Sequence, residues 1–147
     1  MEIDIGRKNV AFGWMWLALS MLFGFFLQIK MRDPNWAGSY FESANWVNHA
    51  AIAAYSFPRA PWRLAHAHWG ALSLVNIFYG MLIDRIGISP FWKHSGSILC
   101  IVGTIVFSGG LFAVGFNPSY SAIAVVGFVL VGLSVMVQLA GWLATLK

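Results

Sequence analysis

The stretch AIAVVGFVLVGLSVMVQLAGWL, residues 122–143, contains no charged side chain. An apolar run of about 20 residues is long enough to cross a bilayer as an α-helix. Three further runs of similar length occupy residues 10–29, 64–83 and 95–116. None of them alternates with the period of two that is typical of barrel strands, and lipid otherwise admits only helices. The sequence therefore predicts an all-α integral membrane protein, a bundle of four transmembrane helices.

The composition supports this class. Of the 147 residues, 59% are hydrophobic and 10% are charged, whereas a soluble domain has about 25% charged residues. The four runs are expected to form one domain over residues 1–147. The net charge of +4 is not gathered into the basic cluster that marks nucleic-acid binding. Membrane lipids, and not nucleic acid, are the expected partners.

The connection between the first two helices, residues 30–63, is long for a bundle. It mixes aromatic, alanine and polar residues between Pro34 and Pro58, which predicts an interfacial helix or a lid. The alternative is a surface strap. Four spans place both termini on one side, and the basic residues favour that side as cytoplasmic because the long loop counts for less. Glycines in the third and fourth helices predict close packing, within the bundle or between subunits.

The second run contains two histidines one alanine apart, His66 and His68. Ionisable side chains are costly inside a membrane and usually have a function there. Residues i and i+2 of an α-helix point about 200° apart, so the two imidazoles should not bind one ion together. The His66 face continues through Gly70 and Ser73 and is predicted to pack against a neighbouring helix.

The His68 face continues through Leu72, Val75 and Tyr79, with Asn76 beside it, and predicts an apolar wall with polar tips. Haem is one occupant that fits such a wall, because an imidazole is a common axial ligand. The candidates for holding its propionates are Arg59 and Arg63, and His49 is a candidate second ligand, propionate partner or proton donor. Other roles remain open. Either histidine could form only an interhelical hydrogen bond, both arginines could anchor the headgroup region, and Asn76 and Tyr79 could only pack.

The chain resembles the styrene oxide isomerases, which are short bacterial membrane proteins with four helices. The likeness lies in RKNVAFGWMWLALSMLFGFFLQ (residues 7–28), in Ala67-His68-Trp69-Gly70, and in the turn Phe116-Asn117-Pro118. It implies haem b, a homotrimer with haem near the subunit interfaces, and a bacterial inner membrane. It also implies that His68 is the iron ligand. In that family ferric iron acts as a Lewis acid on an epoxide, and ring opening with a 1,2-hydride shift gives an aldehyde.

The chain departs from the family at two positions that matter for substrate chemistry. The family's asparagine six residues after the ligand corresponds to Leu74, and residues 95–116 lack the family's tyrosine. The candidate catalytic side chains are therefore Asn76, Tyr79 and Thr104. Two other functions stay open: a non-enzymatic haem or redox subunit of a membrane complex, and an accessory subunit without a cofactor.

Overall fold

The computed structural model describes residues 4–31 and 59–146. These residues form four long helices: α1 (Ile5–Met31), α2 (Arg59–Ile83), α3 (Pro90–Val114) and α4 (Ser121–Thr145). A short 3-10 helix, η1 (Pro118–Tyr120), precedes α4. The described part of the chain contains no strand. The predicted all-α class is thus confirmed, whereas the predicted lid and His49 lie outside the described residues.

Three segments are long and apolar enough to cross a membrane: Ile5–Lys30, Pro90–Val114 and Pro118–Thr145. This is consistent with a membrane protein. The remaining helix, α2, contains the two histidines, Asn76 and one serine, Ser73, and it is less apolar. It packs along α1 on one side and α3 on the other, and α3 packs most extensively with α4. The most polar helix therefore has a neighbouring helix on two sides.

Helix α1 extends beyond the predicted apolar run, residues 10–29, at both ends, and polar groups cap its start. The Asp4 carboxylate accepts the Arg7 backbone N–H at 3.0 Å, and the Asp84 carboxylate accepts the Gly6 N–H at 3.0 Å. Both acceptors satisfy amides that have no partner within the first turn of α1. Helix α1 consequently begins at Ile5, before the apolar run, and is tied to the end of α2.

The α3–α4 turn is also built by local polar contacts. Helix α3 ends at Val114, and Gly115 follows as its C-cap. The Asn117 side chain then accepts the Ser119 N–H at 2.9 Å, which starts η1. The chain reverses here, so we call the end with this turn side B. Side A is the opposite end, with the start of α1, the α2–α3 turn and the end of α4.

Glycines let α3 and α4 approach closely, as the sequence predicts. A Cβ on Gly110 would lie 2.7 Å from the Ala124 Cα, and one on Gly103 would lie 2.7 Å from the Val131 N. Both distances are shorter than a carbon can make without displacing backbone. By contrast, a Cβ on Gly109 or Gly132 would meet nothing within 4 Å. Only some of the glycines therefore serve the contact within this chain.

Candidate functional site

The His66 side chain projects from α2 toward α1. Its Nδ1 is 3.4 Å from the Ser20 Oγ, and the Ser20 hydroxyl donates to the His66 carbonyl at 3.2 Å. A Cβ on Gly24 would lie 2.6 Å from the His66 Cε1, so glycine leaves the room that the ring occupies. The position agrees with the predicted packing face.

His68 points to another side of α2. Its Nδ1 is 2.8 Å from the backbone oxygen of Leu64, one turn earlier. A carbonyl oxygen can only accept, so Nδ1 must carry the hydrogen in this contact. In the neutral imidazole the other ring nitrogen, Nε2, then carries the lone pair, and it has no hydrogen-bond partner in the described residues. The ring is partly exposed and meets the Phe107 ring edge-on at 5.3 Å between centroids.

This arrangement fits a metal ligand. Histidines that bind metals almost always donate the second ring N–H to a carbonyl, carboxylate or water, which fixes the tautomer and the ring orientation. Among residues 4–31 and 59–146, no three His, Cys, Asp or Glu side chains gather as a metal site. Haem iron needs fewer protein ligands, because the porphyrin supplies four nitrogens and the protein supplies an axial one. The donor chemistry of His68 therefore suits haem.

The expected wall beside His68 is largely closed. Leu72 is 8% exposed and Tyr79 is 2% exposed, so neither lines an open surface. Tyr79 belongs to a core cluster with Ile83, Ile86 and Cys100 at the side A half of the bundle. Along the helix axis Tyr79 lies about 16 Å from His68, by the rise per residue. The ligand-lining role of this face stays a prediction, and in the described chain Leu72 and Tyr79 pack inside the bundle.

Asn76 and Thr104 meet each other instead of His68. The Asn76 amide donates to the Thr104 Oγ1 at 2.7 Å and to the Leu72 carbonyl at 3.0 Å. The Asn76 carbonyl oxygen accepts from the Asn9 amide at 3.2 Å. By rise per residue, Asn76 is about 12 Å from His68 along the axis. The catalytic roles of Asn76, Tyr79 and Thr104 stay predictions, and the contacts bring two of the three together.

A buried polar network extends from this pair to two residues that the sequence analysis missed. The Asn9 amide donates to the Ser97 carbonyl at 3.4 Å, and the Ser97 hydroxyl donates to the Asn9 side-chain oxygen. Asn9, Asn76 and Thr104 are 0% exposed and Ser97 is 3% exposed. The network joins α1, α2 and α3. Its signal in the sequence was Asn9, a polar residue at the entrance of an apolar run.

Aromatic rings fix α2 in the half of the bundle that contains the histidines. Trp69 donates its indole N–H to the Ser108 carbonyl at 3.0 Å, and Trp62 donates to the Phe112 carbonyl at 3.0 Å. Phe23 of α1 stacks on Trp69 with ring centroids 4.9 Å apart. These contacts flank His68 in sequence. They hold the backbone that positions its imidazole.

Arg63, one of the two arginines proposed for the propionates, does not share the face of His68. Helix α2 runs without a break from Arg59, and in such a helix Arg63 is turned about 140° from His68. Arg63 is exposed. The side chain of Arg59 lies outside the part of the chain that the structure describes. The cofactor role of both arginines stays a prediction.

A scan against protein-family models, a search of curated proteins and a search of solved structures each gave no significant match to this chain. The geometry around His68 is therefore what supports the functional argument.

Proposed function

We propose that this chain is a four-span membrane protein that binds haem b through His68. The observation that carries the proposal is the hydrogen bond from the His68 Nδ1–H to the Leu64 carbonyl at 2.8 Å. It leaves Nε2 as a fixed lone pair on a partly exposed face, which is the state that an axial ligand requires.

The four-span arrangement is part of the proposal. Helix α2 has 25 residues, as do α3 and α4, and 25 residues rise about 37 Å. The comparatively polar composition of α2 does not argue against a span, because Ser73 and Asn76 are fully buried between helices. Polar side chains in a membrane are tolerated where they face protein and find partners. We propose further that side A faces the cytoplasm of a bacterial inner membrane.

The proposed activity is isomerisation of an epoxide to a carbonyl compound, as the resemblance implies. Ferric haem, when bound, would supply a Lewis acid for the epoxide oxygen. The chain's part would be to hold the haem through the His68 imidazole and to leave room for a small apolar substrate. His66 supports this reading, because it faces α1 and its Nδ1 lies beside Ser20. A second ligand on the same iron, typical of an electron-transfer subunit, is not offered by His66.

Styrene oxide is not the substrate that these residues favour. The hydroxyl of Thr104 accepts from Asn76 inside a sealed core, so it offers no donor at the face of His68. Residues 95–116 also lack the family's tyrosine. Loss of one hydrogen-bond donor that is oriented toward a developing oxyanion typically lowers the rate by about 10²–10³-fold. We therefore propose a different epoxide as the preferred substrate.

The first test is the absorption spectrum of the purified protein in detergent. We expect a Soret band that His68→Ala abolishes and His66→Ala largely retains. His68→Gly with added imidazole should recover part of the band, because a free imidazole can take the vacated position. Tryptophan fluorescence and gel filtration check that each variant is folded. Retention of the full band by folded His68→Ala would overturn the proposal.

The second test concerns activity. Aryl and alkyl epoxides are incubated with the ferric protein and analysed for aldehydes and ketones by gas chromatography. We expect a high-spin spectrum and carbonyl product from at least one epoxide. A low-spin, six-coordinate spectrum together with no product from any epoxide would favour the redox subunit instead.

A further inference from the structure

Basic side chains gather at side A of the bundle. Arg7 and Lys8 are exposed in the first turn of α1, Arg85 is exposed in the α2–α3 turn, and Lys93 lies in the first turn of α3. Two contacts show that these segments adjoin: Gly6 N–H donates to the Asp84 carboxylate, and the Lys93 ammonium donates to the Asp84 carbonyl at 3.0 Å.

The two acids that the structure describes at this end, Asp4 and Asp84, form no ion pair with these basic side chains. Asp4 and Asp84 each accept a backbone N–H through one carboxylate oxygen, and an anion at a helix N-terminus is already balanced by the helix dipole. In the part of the chain that the structure describes, no contact pairs Arg7, Lys8 or Arg85 with a carboxylate. Positive charge therefore remains available to an outside anion.

Two exposed aromatic rings precede Lys93 at the same end of the bundle. Phe91 is 69% exposed and Trp92 is 54% exposed, and both precede Lys93 in the first turn of α3. Exposed aromatic rings beside basic groups are typical of the level where acyl chains meet headgroups. A suitable ligand for this end therefore combines a phosphate group with an apolar chain.

We propose that side A binds the phosphate of an anionic phospholipid headgroup, with Arg7, Lys8 and Arg85 as its donors. Arginine and lysine form short, charge-assisted hydrogen bonds with phosphate oxygens. Anionic lipids attract basic groups next to a transmembrane span, so these side chains favour the leaflet richer in anionic lipid as the location of side A. This inference is independent of haem and of the proposed activity.

The test is a lipid titration of the protein purified in a non-ionic detergent. Phosphatidylglycerol, phosphatidylcholine with the same acyl chains, and soluble glycerol 3-phosphate are each added, and thermal unfolding is followed by tryptophan fluorescence. We expect phosphatidylglycerol alone to raise the unfolding temperature, and high salt to weaken its effect. Arg85→Gln should weaken the apparent affinity about fivefold, from the known contribution of one basic group near an anionic surface.

Lys30→Gln is the matched control, since it removes one positive charge at the other end of α1. It should leave the phosphatidylglycerol titration unchanged, and Lys8→Gln should behave like Arg85→Gln. Equal stabilisation by phosphatidylcholine would overturn the proposal. Equal stabilisation by glycerol 3-phosphate would assign the site to free phosphates. Equal effects of Arg85→Gln and Lys30→Gln would show that the binding site is not at side A.

Discussion

The buried network around Asn76 allows a quantitative test of what holds α1, α2 and α3 together. Asn76→Leu preserves the approximate volume and removes two interhelical hydrogen bonds, to Thr104 and from Asn9. Hydrogen bonds between membrane helices average about 0.6 kcal/mol and reach about 1.7 kcal/mol. Two of them predict a loss of about 1–3 kcal/mol, including the cost of the groups left without partners.

A double-mutant cycle isolates the shorter bond. Asn76→Leu and Thr104→Val are made singly and together, and each protein is unfolded reversibly from detergent into sodium dodecyl sulphate while tryptophan fluorescence is recorded. The 2.7 Å distance and full burial predict a coupling free energy of about 1 kcal/mol or more. The Thr104 hydroxyl can return to a carbonyl of its own helix, which limits the upper value.

The control cycle combines Asn76→Leu with Ser134→Ala. Ser134 is fully buried but donates within α4, to the Val131 carbonyl at 2.7 Å. These two changes should add within about 0.5 kcal/mol. A Thr104 coupling no larger than that of the control pair would refute the view that this bond joins the helices.

Two further predictions concern the bundle itself. Gly110→Ala should destabilise the protein by about 1–3 kcal/mol, since its Cβ must displace the Ala124 backbone. Gly109→Ala should be neutral or stabilising by up to about 1 kcal/mol, because its Cβ meets nothing within 4 Å. Chemical unfolding of the two variants compares their stabilities, and equal losses would contradict the close contact at Gly110. Epitope tags at the two termini should be digested from the same side of sealed vesicles if α2 spans the membrane, and digestion from opposite sides would reduce the protein to three spans.

The helices were predictable from the sequence because lipid imposes one simple requirement on any long apolar run. Their ends were less predictable: α1 begins at Ile5 because Asp84, distant in sequence, accepts the Gly6 N–H. The separation of His66 and His68 followed from helix geometry alone. The packing of Leu72 and Tyr79 did not, since one helix cannot reveal which part of its face a neighbour covers.

The polar network also shows which contacts could not be predicted from the sequence. Asn76 and Thr104 stand out in the sequence as polar groups within apolar runs, but the sequence alone does not show that Asn9 and Ser97 are their neighbours. Only the relative depth of α1 and α3 brings them together. The hydrogen bond of His68 to Leu64 likewise depends on the rotamer of the ring, which spacing does not determine.

The bond between Gly6 and Asp84 has a consequence for biogenesis. A ribosome delivers α1 to the membrane first, and 78 positions separate the donor from the acceptor. Until Asp84 has been synthesised, the Gly6 amide in the first turn of α1 must rely on water or on lipid headgroups. Completion of α2 thus gives α1 its protein acceptor and fixes its depth, so α1 and α2 should mature as a hairpin before α3 and α4 are added.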